Sequence, residues 1–366
     1  MTTRYYLRPI ALAESPQNEE GGVIRLAGGL AYASRFAVIA REGGKIVSRE
    51  IYSATELRAR LPELSPHLQA QFENLQRVPA PLVCGARTVR LDQPQVMGIL
   101  NITPDSFSDG GQFMDDPEVA SAHASTMLEA GAAIIDIGGE STRPGAAAVW
   151  EGDELKRVVP MIERLASAGA AISIDTRRPA VMEAALAAGA HILNDVSALR
   201  HDPRSLEFAA RSGAPVVLMH APGVGDDLHT GGAYSDVVLD VFDWLAERRD
   251  AAIAAGISRD RIVLDPGIGF GKSVADNLAL MNALPLFHAL GQPLLIGVSR
   301  KRMIGALSGE APAHQRLGGS IMLATKALEA GVQLLRVHDV LETVQALRVW
   351  RGLRDAALTD FSQLAP

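Results

Sequence analysis

The chain has 366 residues, 48% of them hydrophobic and 21% charged, with a formal net charge of -7. That length accommodates one large domain, or one domain with a small companion. The charges form no basic stripe for nucleic acid, and the one cysteine, Cys84, excludes a disulfide framework and a cysteine-rich zinc site.

In chain order, MTTRYYLRPIALAESPQNEE lacks the basic and apolar run of a signal peptide. Apolar runs elsewhere break before the roughly 18 to 20 residues that a membrane span needs, so a soluble cytoplasmic protein with no membrane partner is expected. FAVIAREGGKIVSREIY predicts two strands around the turn Arg41-Glu42-Gly43-Gly44. TELRARLPELSPHLQAQFENL is partly helical in pattern, interrupted by Pro62 and Pro66. Residues 1–90 therefore form a small α+β extension of unassigned role, joined through VPAPLVCGARTVRLDQP to a catalytic unit over 91–366.

From Gln95 onward, short apolar runs alternate with Ala- and Leu-rich helical stretches. The runs are QVMGILN, ending at Asn101; AAIIDIGG, near Gly138; AAISIDT, at Thr176; and HILNDVS, near Asp195. They continue with PVVLMH, ending at His220; RIVLDP, at Asp265; QPLLIGVS, near Ser299; and VQLLRVHD, at Asp339. Helical patterns such as EVASAHASTMLEAGA and PAVMEAALAAGA lie between them, each closed by a glycine. This alternation favours a parallel sheet, and near-continuous apolar strands favour one covered on both faces. Eight runs over about 245 residues predict an α/β fold, a (β/α)8 TIM barrel. A doubly wound open sheet is the competing architecture.

In such a barrel the C-terminal strand ends converge on one face, which carries the active site. Those ends hold Asn101; Glu140, Thr142 and Arg143; Asp175; Asn194 and Asp195; His220; Asp265; Ser299, Arg300 and Lys301; and Arg336 with His338. At any single end a helix cap or a solvated loop residue is the plain explanation. Polar groups at all eight predict an active site. Arg336 and His338 are two apart on a strand and point the same way, and barrel closure brings them beside Asn101. Phosphate often binds after the seventh and eighth strands, so this set suggests an anion site; a paired core arginine and a structural histidine are the alternative. Asp175, Asn194 and Asp265 offer acceptors suited to adjacent N–H donors, such as an aminopyrimidinone edge. Lys301 would donate to a ligand carbonyl or pair with Asp265. DPGIGFGKS is not a phosphate loop, because Pro266 stands where its first glycine belongs. Its glycines instead permit a tight turn and close approach to a flat ligand. The chain has neither G-x-S-x-G nor H-E-x-x-H, which disfavours serine hydrolase and zinc protease chemistry.

GILNITPDSFSDGG, IDIGGESTRPGA, ISIDT, ILNDVSAL, LDPGIGFGK, VSRKRMIG and LLRVHDV resemble, in order, the motifs of dihydropteroate synthases, over roughly Gln95 to Val349. The resemblance implies condensation of a dihydropterin pyrophosphate with p-aminobenzoate by dissociative substitution. Asp175, Asn194, Asp265 and Lys301 would hold the pterin, with Met219 and Phe270 in its pocket wall. Asn101, Arg336 and His338 would form the pyrophosphate site, with Asn101 approaching a Mg2+ ion carried by that group. Phe107 and Asp109 in a first loop, and Thr142, Arg143 and Pro144 in a second, would close over p-aminobenzoate, with Asp109, Arg143 and Lys301 serving catalysis. A homodimer built from barrel helices is also implied. The chain departs from the family at APGVGDDLHTGGAY after His220, where many members have a Met-Gln-Gly type stretch. It departs again at Arg302, a serine in many members beside the p-aminobenzoate carboxylate, and in its N-terminal extension. The alternatives are an idle pterin-binding protein and a methyltetrahydrofolate-dependent methyltransferase, which shares the barrel but would lack both loops together with the SRK stretch.

Overall fold

The computed structural model describes residues 3–13, 21–103, 117–142, 149–223, 225 and 227–358. The alternation read from the sequence becomes a ring of eight parallel strands. These are β7 (Gln95–Asn101), β8 (Ile134–Gly138), β9 (Ile172–Asp175), β10 (Ile192–Asp195), β11 (Val216–Met219), β12 (Ile262–Asp265), β13 (Leu295–Ile296) and β14 (Leu334–Val337). Each pairs with its neighbours in the order β12-β11-β10-β9-β8-β7-β14-β13. A single parallel bridge from Leu264 to Leu294 draws the last gap together, and the Leu264 N–H donates to the Pro293 carbonyl at 2.9 Å. Helices occupy the crossovers: α3 (Pro117–Ala130), α4 (Glu151–Ser167), α5 (Pro179–Ala187), α6 (Pro203–Ser212), α7 (Val237–Ala254), α8 (Val274–Phe287), α9 (Arg302–Leu307), α10 (Leu317–Glu329) and α11 (Val340–Leu358). This is the (β/α)8 barrel that the sequence predicts.

Strand alternation divides the core in two, since neighbouring residues on a strand face opposite ways. Val96, Ile135, Ile137, Ile172, Ile174, Leu193, Val216, Leu218, Ile262, Leu264 and Leu335 face the helices and join the larger core. Met97, Ile134, Ala171, Ile192, Val217, Val263, Leu295 and Leu334, of opposite parity, fill the barrel interior. An antiparallel hairpin of β5 (Leu82–Cys84) and β6 (Arg87–Val89) seals this floor with Leu82, Cys84 and Val89. The hairpin precedes residue 90 yet packs with the barrel. Burial pushes the Cys84 thiol up to about 11, which leaves no reactive thiolate there.

The rest of the N-terminal segment is a second sheet. β3 (Tyr32–Glu42) pairs antiparallel with β1 (Arg4–Leu12), β2 (Ile24–Arg25) and β4 (Lys45–Ser53). Gly43 and Gly44, at φ +52° and +84°, make the expected turn between β3 and β4. Pro62 falls in a single turn at Leu61–Glu63 that follows α1 (Ala54–Arg60), and Pro66 opens α2 (Pro66–Gln76). The prolines thus punctuate the two helices, as their missing N–H requires.

This sheet packs on the outer face of the barrel. Tyr6 meets Phe242 of α7 edge-on at 5.6 Å, and its hydroxyl donates to Asp243 at 2.8 Å. Arg41, itself buried, donates to Ser235 and Asp240, both at 2.5 Å. Helix α8 buries Leu280, Met281 and every residue from Ala283 to Phe287. A helix with so wide an apolar surface must be covered on more than one side; α8 packs against α7 and α10 in the barrel's outer layer and against β1. Among the described residues, no helix is long and apolar enough to cross a membrane.

Candidate active site

The parity that fills the floor also builds the site above it. Two residues beyond each floor position stand Ile99, Asp136, Ser173, Asn194, Met219, Asp265, Gly297 and Arg336. A further step along five of these strands gives Asn101, Asp175, Val196, Ser299 and His338. These two layers, apart from Asp136 and Ser173, line a cavity of about 580 Å³ together with Thr142, Phe270 and Lys301. Nine sequence-chosen residues that the structure describes therefore meet at one mouth, with Thr142 at its edge: Asn101, Asp175, Asn194, Met219, Asp265, Phe270, Lys301, Arg336 and His338. Phe107, Asp109, Arg143 and Pro144 lie outside the described residues.

The sequence reading separated an anion set around Arg336 from an acceptor set around Asp175. The structure joins them. Arg336 donates from Nε to Asp136 at 2.5 Å and from Nη2 to Asp175 at 2.7 Å. Asn194 donates to the same Asp136 oxygen at 3.0 Å. Burial works against the Arg336 charge, but Asp136 and Asp175 prevail and raise its pKa. Burial raises the Asp175 pKa, with Arg336 opposing and Asp136 reinforcing the shift. Asp136, fully buried, was not among the sequence candidates. Its signal was an aspartate between isoleucines in IIDIG, on the inward parity. Its Oδ1 and the adjacent Ser173 hydroxyl are buried without a partner among the described residues.

Asp265 closes the opposite wall. Its Oδ1 accepts the Gly267 N–H at 2.7 Å, which fixes the carboxylate plane. Burial pushes its pKa up to about 6, with the Gly267 N–H and the Lys301 charge holding it from rising further. Gly267 sits at φ +69°, and a Cβ there would meet the His220 carbonyl oxygen at 1.9 Å. Only glycine allows this turn. Lys301 lies 4.5 Å from the Phe270 ring centroid, a cation–π distance.

Lys272, the lysine of the false phosphate motif, points into the protein. It donates to the carbonyls of Gly267 at 2.8 Å and Phe270 at 3.1 Å, and lies 2.9 Å from His220 Nδ1. Burial pushes Lys272 down to about 7, and burial with the Lys272 charge pushes His220 down to about 2, so its imidazole is neutral.

The expectation that every strand end presents its polar group to the mouth is corrected at three places. Asp195 and His220 have the outward parity. Asp195 accepts from the Ser197 N–H and hydroxyl, both at 2.7 Å, and His220 serves Lys272. Glu140 borders the cavity, but its carboxylate is taken by Arg177 at 3.0 Å and Arg178 at 2.8 Å.

After β13, Arg300 holds a left-handed backbone at φ +56°. Its N–H donates to Ser320 at 2.9 Å, its carbonyl accepts from Arg316 at 3.0 Å, and its guanidinium pairs with Asp339. Strained backbone persists only where surroundings enforce it. Here it turns Ser299 and Lys301 to the mouth. The Ser299 hydroxyl accepts the His338 N–H at 3.2 Å and lies 3.1 Å from its Nδ1, fixing the imidazole. Arg302 stands at the rim, exposed and paired with Glu310 at 3.2 Å, a contact of small energetic weight.

Among the described residues no group of three His, Cys, Asp or Glu could hold a metal. Asn101 brings one amide oxygen to the mouth; a Cβ on Gly138 would stand 3.3 Å from it, so glycine keeps that oxygen clear. This donor set fits a Mg2+ ion that arrives with phosphate and water ligands of its own.

Taken together, a parallel barrel with a polar well at the C-terminal strand ends defines an enzyme of the (β/α)8 class. Residues 97–338 match the family model described as pterin binding enzyme. The dihydropteroate synthase of Neisseria meningitidis serogroup B is 48% identical over 274 residues, covering 74% of this chain and 96% of that protein. That of Escherichia coli K12 is 46% identical over 260 residues, covering 71% and 91%. A solved structure of Xanthomonas albilineans dihydropteroate synthase with 4-aminobenzoic acid is 50% identical, with a TM-score of 0.70, covering 76% of this chain and 99% of that one. The chain belongs to the pterin-binding enzyme family and, within it, to the dihydropteroate synthases.

Proposed function

We propose that the enzyme condenses 6-hydroxymethyl-7,8-dihydropterin pyrophosphate with p-aminobenzoate, giving 7,8-dihydropteroate and pyrophosphate. The observation that carries this reading is the set of hydrogen-bond acceptors on the wall of the well, where Asp175, Asn194 and Asp265 face a cavity large enough for a flat bicyclic ring. A related Xanthomonas albilineans enzyme has been solved in complex with 7,8-dihydropteroate, at 47% identity and a TM-score of 0.67.

Asp265 accepts two adjacent N–H groups of the pterin, and Asn194 and Asp175 take its other polar edge. Lys301 donates to the ring carbonyl and stacks its charge on Phe270. The bond from the pterin methylene to the pyrophosphate oxygen breaks, and its electron pair leaves with that oxygen. The cation left behind is delocalised into the ring, and the arylamine nitrogen attacks it and releases a proton. No protein nucleophile is needed. Arg336, His338 and Asn101 orient the departing pyrophosphate. Mg2+ bound with the pyrophosphate supplies neutralisation of its developing charge. Asp109 is assigned to the cation, Phe107, Thr142, Arg143 and Pro144 to the closing loops, and the site is assigned to a cytoplasmic enzyme. The adjacent outer helices α10 and α11 leave Met322, Leu341, Val349 and Leu353 exposed, a face that suits a homodimer.

The purified enzyme, given both substrates and Mg2+, is expected to form dihydropteroate and to stop when the metal is chelated. Absence of product with the wild type rejects the reading. A pH series adds a second check. The pterin edge donates to the ionised Asp265, whose folded-state pKa is raised to about 6. Affinity is therefore full above pH 6 and weakens as pH falls through it, approaching about tenfold per unit. Calorimetric titration of the pterin between pH 4.5 and 8 measures this, and a flat profile would contradict it.

A further inference from the structure

Between β11 and α7 the chain folds against the loop that follows β12, and it is anchored from within. Asp227 accepts the N–H groups of His229 at 2.9 Å and Thr230 at 3.1 Å. Leu228 is buried with Val196, Met219 and Ala221, and Phe270 packs on that cluster. A Cβ on Gly271 would stand 2.7 Å from the His229 carbonyl oxygen, so the two loops touch backbone to backbone only because that residue is glycine. These contacts hold the His229 imidazole parallel to the Phe270 ring, with centroids 5.1 Å apart and 10° between planes. Its Nε2 lies 2.9 Å from the Thr142 carbonyl oxygen. A carbonyl only accepts, so Nε2 carries the proton. One imidazole thus bridges the loop after β8 and the loop after β12, from a segment where the chain departs from its family's pattern.

We infer that His229 is a positioning residue for the arylamine substrate, acting through Phe270 and Thr142. The inference rests on the function proposed above, in which Thr142 belongs to a loop over the arylamine; Phe270, given there to the pterin side beside Lys301, borders the same cavity as Thr142 and His229. The stack fixes the plane of Phe270, and the hydrogen bond fixes the start of the second loop. Neither contact reaches Asp265 or Asp175, which hold the pterin. The effect of His229 should therefore fall mainly on the arylamine, with a smaller one on the pterin through Phe270.

Steady-state kinetics of the full-length enzyme test this with three variants. His229→Ala removes both contacts and is expected to raise KM for p-aminobenzoate about tenfold. KM for the pterin pyrophosphate and kcat stay within about twofold. His229→Phe restores the stack and His229→Gln the hydrogen bond, so each recovers part of the loss. An unchanged p-aminobenzoate KM, a parallel rise in both KM values, or no recovery by either variant overturns the inference. Amide hydrogen exchange at Ser141 and Thr142 reads the bridge without turnover: faster exchange in His229→Ala supports it and unchanged exchange overturns it. A wild type that makes no product defeats the proposed function, and the exchange experiment still judges the bridge.

Discussion

Asp265→Ala is expected to lower kcat/KM for the pterin substrate about a thousandfold, equivalent to about 4 kcal/mol. Two hydrogen bonds to a charged acceptor, at roughly 1.5–3 kcal/mol each, account for that loss. Asp265→Asn separates charge from shape. It keeps an oxygen for the Gly267 N–H, which now reaches Oδ1 at 2.7 Å, but offers the pterin a donor where an acceptor is needed. Its activity should fall by about the same factor. Its stability should move the other way. The folded chain holds the Asp265 proton more tightly than the unfolded chain, because burial raises the pKa from 3.8 to about 6. The ionised carboxylate therefore costs stability fully above pH 6, and the cost vanishes below pH 4. Asp265→Asn is expected to gain about 1–3 kcal/mol in urea unfolding at pH 8 and nothing at pH 4. Equal stability of the two proteins at pH 8 would show that the carboxylate carries no such cost.

Arg336→Ala should have the larger structural effect. Arg336 is the guanidinium bonded to Asp136 and Asp175 at the centre of the well. Removing it leaves two buried carboxylates without compensation, a loss of about 3–5 kcal/mol. The loss should be greater at pH 8 than at pH 5, because Asp175, with its raised pKa, escapes the repulsion by protonating at the lower pH. Dihydropteroate formation should be undetectable. Arg336→Lys restores the charge but not the planar fork that spans both aspartates, so it should recover stability in part and activity hardly at all. Unfolding curves at the two pH values separate these outcomes.

The barrel was legible because each strand carried its own burial signal and most of the helices between them a closing glycine. The site was legible where a polar residue ended a strand, and it was overcounted for the same reason. Asp195 and His220 end strands too, but they lie one residue off the inward parity and are spent on Ser197 and Lys272. The parity that paired Arg336 with His338 would have excluded both, had it been carried down to the floor positions Ile192 and Val217. It would also have picked out Asp136, two residues above Ile134. His229 was not accessible in that way. Its partners, Phe270 and Thr142, are 41 residues after it and 87 residues before it, and no local pattern announces a contact between loops. Arg302 drew attention as a departure from the family, yet it lies exposed against Glu310.

The hairpin under the barrel makes the interior a blind well, with consequences for traffic. Whatever enters must leave by the same mouth. A molecule seated on Asn194, Asp175 and Asp265 lies beneath anything that rests on Phe270 and Thr142. On the function proposed, an arylamine that arrived first would lie across the mouth, so depth favours an order with the pterin ahead of it. The joined product spans both levels and is withdrawn from above as one piece, and until it goes the next pterin waits.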